Sequence, residues 1–266
     1  MRLAIPSAPP IPAVRAMILA AGRGERMRPL TDHTPKPLLQ VHGKPLMQWP
    51  LDALLRAGIS DIVVNTAWLG EQIEQYFGPA PAVTSQPPAA SGERSGIRYS
   101  SEERDFGYAL ETAGGIARAL PMLAPREQDV FWVAAGDIFA PHFSFTREAA
   151  QRFAASGKLA HLWLVPNPPH NPEGDFALGS DGLALNEAPF GSVRHTFSAI
   201  ALYRRQLFEP PWCTVLPGNP QGTAAPLAPL LRKAIEAGHV SAELYRGTWI
   251  DVGTPERLAQ LNAGHT

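Results

Sequence analysis

The run Met17-Ile18-Leu19-Ala20-Ala21-Gly22-Arg23-Gly24-Glu25-Arg26-Met27 constrains this chain more than any other stretch. Its apolar beginning reads as a buried parallel strand over residues 14–20. Glycines directly after such a strand let the backbone turn tightly and bring its amides close to an anion. Arg26 follows within the loop, and Lys36 follows ten positions later, boxed as Thr34-Pro35-Lys36-Pro37-Leu38. Two fixed cations beside exposed amides suit a triphosphate, so the expectation is a nucleotide-phosphate site at the carboxyl end of the first strand. A plainer reading stays open: a lone Gly-x-Gly can merely turn the chain, and Arg26 and Lys36 can be solvated surface cations. Against it, prolines flank Lys36 on both sides and fix its backbone.

Two familiar glycine motifs are absent. The dinucleotide fingerprint needs glycine where this chain has Met27, which disfavours hydride transfer. The P-loop's Gly-Lys-Ser/Thr does not occur. The eight histidines show no zinc-ligand spacing, and no Gly-x-Ser-x-Gly is present, which argues against a zinc site and a serine hydrolase.

At 266 residues the chain can form one large α/β domain or two small ones. Its 23 basic and 24 acidic residues nearly cancel, which gives no support to a nucleic-acid or membrane-surface role. Cys213 is the only cysteine, so no intrachain disulfide can form and a reducing, cytoplasmic setting is expected. No apolar run is long enough to span a membrane. The Pro-rich residues 1–13 do not read as a signal peptide and are expected to form a disordered arm before one domain over 14–266.

Along the chain, strands are expected at 62–65, 97–100, 130–134, 159–165, 197–202, 240–245 and 249–251. Helices are expected at 45–57, 71–77, 112–120, 145–153 and 227–237, and Thr254-Pro255-Glu256 should open a last one. This β-α-β-α order implies a parallel sheet. Residues 78–96 hold four prolines among Ala, Ser, Gly and Thr and read as a flexible surface insertion, because the α/β rhythm resumes at once. Trp68, Trp132, Trp163 and Trp249 lie in or beside apolar segments and read as core or pocket wall.

Asp137 directly follows the strong strand at 130–134, and Asp251 ends a late one. Carboxylates at two strand ends can hold Mg²⁺, with substrate phosphates and waters completing the octahedron. A turn at Asp137 and a helix cap at Asp251 remain the open alternatives.

At this point the residues resemble a known family. Leu19-Ala20-Ala21-Gly22-x-Gly24-x-Arg26-Met27-x-Pro29-Leu30-Thr31, followed by Pro35-Lys36-Pro37-Leu38, is similar to the opening signature of the sugar-1-phosphate nucleotidyltransferases. Supporting stretches are Asn65-Thr66-Ala67-Trp68-Leu69-Gly70, Leu110-Glu111-Thr112-Ala113-Gly114-Gly115, Gly174-Asp175-Phe176 and residues 245–254. The resemblance implies a Rossmann-like, mostly parallel sheet flanked by helices, of nucleotidyltransferase type, with a small mixed sugar-binding subregion. It implies UTP and a sugar 1-phosphate as substrates, Mg²⁺ as cofactor, and a monomer or small homo-oligomer. Leu19, Ala20, Ala21, Gly22, Gly24 and Glu25 would wrap the nucleotide, with Arg26 and Lys36 as catalytic cations on its phosphates. Thr112, Ala113 and Gly136 would join that pocket, Asn167, Gly174 and Glu187 would face the sugar, and Asp137 and Asp251 would hold the metal. Two departures stand out. Ala188 replaces the lysine expected after Glu187, and Ala199 replaces a glycine, which would tighten the pocket. Another sugar 1-phosphate, such as that of glucose or mannose, is an alternative substrate. A non-catalytic, ligand-sensing relative would be expected to have lost Arg26, Lys36 or an aspartate, and all are present.

Overall fold

A computed structural model describes residues 14–78 and 96–264. The expected N-terminal arm and all but the two ends of the 78–96 insertion lie outside the described residues. In chain order the first half holds β1 (Arg15–Ala20), β2 (Gln40–Val41), β3 (Lys44–Pro45), α1 (Gln48–Arg56), β4 (Asp61–Thr66), α2 (Gly70–Phe77), β5 (Gly96–Ser101), α3 (Glu102–Phe106) and α4 (Glu111–Leu123). The second half holds β6 (Val130–Ala135), β7 (Ile138–Phe139), α5 (Arg147–Ala155), β8 (Ala160–Val165), β9 (Phe176–Leu178), β10 (Ala184–Leu185), β11 (Arg194–Arg204), α6 (Leu227–Glu236), β12 (Val240–Leu244), β13 (Ile250–Asp251) and α7 (Pro255–Ala263).

β1 lies at the centre of a nine-stranded sheet, parallel to β4 on one side and to β6 on the other. β5 extends the parallel set beyond β4. β11 runs antiparallel to β6 and continues the sheet to β8, which β12 joins in parallel. The expected parallel sheet is therefore a parallel half completed by a mixed half.

Both faces of the parallel half are covered, which explains why its strands are near-continuous apolar runs. Alternate residues separate by face, as a strand's period of two requires. Met17, Val63 and Val133 pack with Ile116 and Leu120 of α4 and Leu231 of α6. Ile18, Val64 and Trp132 pack with Leu51 and Leu54 of α1 and Phe153 of α5. Trp132 meets Trp163, Phe143 and Phe145 ring to ring, which puts these residues in the core.

Two helix starts need correction, and one short helix had no expected counterpart. α1 begins at Gln48 rather than at 45, because Pro45 lacks an N–H and pairs instead with Gln40 in the β2–β3 hairpin. α5 begins at Arg147, where Thr146 caps it by accepting from the Ala149 N–H. The short α3 was not anticipated, since five mostly polar residues carry no helical periodicity.

β11 is unusually informative. Its C-terminal half lies between β6 and β8, while its N-terminal end pairs with β9 and leads to β10. The register against β8 shifts between Phe197 and Ala201, so a bulge separates the two halves. Ala199 sits in that bulge at φ 59°, a left-handed conformation that would favour glycine. The Trp249 indole N–H donates to the Ser198 carbonyl at 3.0 Å and pins it.

Candidate active site

The carboxyl ends of β1, β4 and β6 open onto a cavity of about 690 Å³. Leu19, Ala20, Ala21 and Gly22 form one wall, and Glu111 and Thr112 at the start of α4 stand on another. Phe176, Phe197 and Ala199 line the side towards β9 and β11.

Two buried groups hold the upper part of this cavity in place. The Asn65 side chain accepts from the Ala20 N–H at 3.0 Å and donates to Glu102 at 2.8 Å. The other Glu102 oxygen accepts from the Leu110 N–H at 2.7 Å. One relay thus ties the end of β1, β4, α3 and the residue before α4 together. Glu102 is fully buried, and burial raises its pKa above the ordinary value, partly offset by the Leu110 and Asn65 donors. Gly115 makes room for it: a Cβ there would lie 2.5 Å from a Glu102 oxygen. Glycine inside a helix is costly, so the Gly114-Gly115 pair was a readable sign of close approach, though not of a carboxylate.

The glycine loop is strapped from below. The Thr31 hydroxyl donates to the Gly24 carbonyl at 2.9 Å, and Gly24 has φ 70°. A Cβ on Gly24 would meet Thr31 and Lys36 at 3.0 and 3.3 Å, so glycine is needed here. Met27, fully buried, packs with Leu39, Leu46, Phe139, Val252 and Leu258. The residue that removes the dinucleotide reading thus anchors the loop to the β2–β3 hairpin, to β7 and to α7.

Lys36 is only 7% exposed. Its Nζ donates to Asp137 Oδ2 at 2.6 Å and lies 3.9 Å from Asp251 Oδ1. Asp251 arrives by a route the sequence did not suggest. β13 stays out of the main sheet and pairs with β7, placing Asp251 opposite Ile138, next to Asp137. Asp251 is further held by Arg257, whose Nη1 donates to its carbonyl at 2.8 Å and its carboxylate at 2.9 Å. Two carboxylates thus converge on one cation at the edge of the cavity. These are hard oxygen donors, Asp137 on the cavity wall and Asp251 beside Lys36, and as a pair they would fit Mg²⁺ completed by other oxygen ligands. Among the described residues no cluster of three or more His, Cys, Asp or Glu side chains forms a complete metal site.

A family model described as nucleotidyl transferase matches residues 15–266. The chain belongs to the nucleotidyl transferase family. It is 45% identical to the N-acetylmuramate alpha-1-phosphate uridylyltransferase of Neisseria meningitidis serogroup B, over 94% of this chain and 97% of that protein. It is 27% identical to the protein of the same description from Caulobacter vibrioides, over 91% and 92% of the two chains. A Bacillus anthracis crystal structure, provisionally described as a glucose-1-phosphate thymidylyltransferase, superposes with a TM-score of 0.70 at 20% identity, covering 94% of each chain. That likeness is one of fold.

In this nucleotidyl transferase the anticipated residues fall into three groups. Leu19, Ala20, Ala21, Gly22, Lys36, Thr112 and Asp137 line the cavity, and Asp251 stands beside Lys36. Gly24, Glu25, Arg26, Ala113 and Gly136 do not line it. Arg26 and Glu25 are exposed on the short turn after Gly24. Ala113 is buried in the core and its N–H donates to the Ala225 carbonyl. Gly136 donates to the Leu19 carbonyl at 2.8 Å, and a Cβ there would crowd that oxygen at 3.0 Å, so it serves the β1–β6 approach. Asn167, Gly174 and Glu187 lie off the cavity wall. Asn167 donates to the Pro172 and Arg194 carbonyls and accepts from Thr196, while Gly174 leaves room for that packing. Glu187 is exposed.

Several cavity residues escaped the sequence reading. Arg23, rather than Arg26, lines the cavity, with its guanidinium 3.6 Å over the Trp68 ring. The Trp68 indole N–H and Arg23 Nη1 both donate to the Thr31 carbonyl at 2.9 Å. Asp175, another wall residue, accepts from the Phe197 N–H at 2.8 Å. Neither residue stands in a pattern that spacing alone could flag.

Proposed function

We propose that this chain transfers a uridylyl group from UTP to N-acetylmuramate α-1-phosphate, giving the UDP-sugar and pyrophosphate, as a step in reuse of cell-wall sugars. The observation that carries this reading is the 45% identity to the Neisseria meningitidis enzyme over 94% of the chain. The cavity agrees with it: about 690 Å³ is of the size used for small-molecule sites, and its cations lie at the carboxyl end of the sheet.

In this reaction an oxygen of the sugar phosphate attacks the α-phosphorus of UTP in line and pyrophosphate leaves. The attacking phosphate is already anionic near neutral pH, so no general base is required. Alignment and charge neutralisation carry the acceleration. The amides after β1 receive the triphosphate. Lys36, freed from Asp137, draws the two reacting phosphates together, and Arg26, exposed on the turn after Gly24, steadies the leaving pyrophosphate. Asp175, Phe176 and Phe197 line the end that takes the acceptor, with Asn167 and Gly174 packed behind that wall. Asp137 and Asp251 would hold Mg²⁺, which supplies charge neutralisation at the phosphate oxygens. The buried, unpaired Cys213 agrees with a reducing compartment such as the cytoplasm, and no described helix is long and apolar enough to cross a membrane.

Pyrophosphate release from a panel of nucleoside triphosphates and sugar 1-phosphates tests the proposal. UTP with N-acetylmuramate α-1-phosphate should give the highest kcat/KM. Turnover confined to glucose or mannose 1-phosphate would replace the acceptor named here, and turnover of no pair would remove the enzymatic reading.

A further inference from the structure

α7 begins with the cap expected from its sequence: the Thr254 side chain accepts from the Arg257 N–H, and Pro255 occupies the first turn. The cap orients Arg257 back towards Asp251. One guanidinium nitrogen donates to both the Asp251 carbonyl and its carboxylate, at 2.8 and 2.9 Å. The same nitrogen lies 3.2 Å from His170 Nε2, which is itself 3.3 Å from Asp251 Oδ2. Gly253 makes the return path possible, since a Cβ there would lie 3.0 Å from both the guanidinium and the carboxylate. Arg257 is about four-fifths buried, at 20% side-chain exposure.

The charges add up simply. Asp137 and Asp251 contribute two negative charges, while Lys36 on the first and Arg257 on the second contribute two positive ones. Lys36 also spans the gap, within 3.9 Å of Asp251. Over these four side chains the formal charges cancel, and a divalent ion approaching the free chain meets an ammonium group already between the carboxylates. A triphosphate changes that balance: it brings negative charge and gives Lys36 another partner.

We propose that Arg257 is a positioning residue for Asp251, and that Arg257 and Lys36 together keep the carboxylate pair charge-balanced, so that a divalent cation enters with the triphosphate and not ahead of it. The inference rests on the assignment of Asp137 and Asp251 to the metal.

The test is an electron paramagnetic resonance titration of the full chain with Mn²⁺ alone, without nucleotide. The wild type should bind Mn²⁺ weakly. Arg257→Gln keeps an amide donor for Asp251 but removes the charge, and should bind Mn²⁺ at least about tenfold tighter. Lys36→Met removes the other counter-charge with Arg257 in place, and should move affinity the same way. Arg257→Lys keeps the charge but loses the planar fork: it should leave Mn²⁺ affinity near wild type and raise the Mg²⁺ concentration needed for half-maximal turnover. Tight Mn²⁺ binding by the free wild type overturns the proposal. So does unchanged affinity in folded Arg257→Gln or, should that variant not fold, in Lys36→Met. Asp137→Asn and Asp251→Asn separate the two levels: if both retain Mg²⁺-dependent turnover, the metal assignment itself falls; if both lose it while Arg257→Gln is unchanged, only the charge-balance inference falls.

Discussion

At the residue scale the site depends on a few partnerships whose removal has separable effects. Asp137→Asn should abolish Mg²⁺-dependent pyrophosphate release while the circular dichroism spectrum and Tm stay close to wild type; near-normal turnover would take Asp137 out of the metal site. Lys36→Ala should lower kcat by about 10²-fold or more and stability by no more than about 1 kcal/mol, because the Asp137 it leaves behind is one-third exposed. Trp68→Leu removes the ring under Arg23 and the N–H on Thr31, and should raise the KM for UTP with little change in Tm. Glu102 sets a pH dependence. Its folded pKa lies above its unfolded one, so its contribution to stability is full below the ordinary glutamate value and is lost as pH rises through the folded value. Urea midpoints from about pH 4 to about pH 7 should therefore show this slope in the wild type and not in Glu102→Gln, and parallel curves would refute it. Lys36 was legible because two prolines frame it. Arg23, Glu102 and Arg257 were not, because each acts through a partner 37 or more residues away or across a turn that no pattern encodes.

At the scale of elements, periodicity located β1, β4, β5, β6, β8 and β12 to within one residue at each end, since the parallel strands are apolar on both faces, but it began β11 three residues late and did not delimit β9 or β10. What it could not show is that one apolar stretch, β11, serves two pairings, or that the two-residue β13 leaves the main sheet for β7. Pairing is a long-range choice, and short strands carry too little sequence to announce their partner. The Ala199 bulge gives an element-scale prediction. Ala199→Gly relieves the left-handed alanine and should raise stability by about 0.5–1 kcal/mol in denaturant unfolding, after the entropic cost of glycine. A loss would mean that its methyl contact with the core outweighs the backbone cost. Met27 offers the opposite case. Met27→Ala empties the small cluster between the glycine loop and α7 and should cost about 2–5 kcal/mol.

For the whole molecule, the cavity is assembled from segments that span nearly the entire described chain, from Leu19 to Arg232. Ligand binding should therefore stabilise the fold as a unit. UTP with Mg²⁺ at about a hundred times its Kd should raise unfolding free energy by about 2.7 kcal/mol, with one calorimetric transition moving to higher temperature. Two transitions, only one of them shifting, would show that the β9–β10 end unfolds on its own. The shared strand has a practical side as well. Since the strand that would carry the acceptor end also runs through the middle of the main sheet, between β6 and β8, that end cannot be trimmed away as an appendage. A protein engineer exchanging acceptor preference between relatives has one natural seam, the bulge between Phe197 and Ala201, where a cassette can be sewn in without disturbing the pairings that hold the strand to β6.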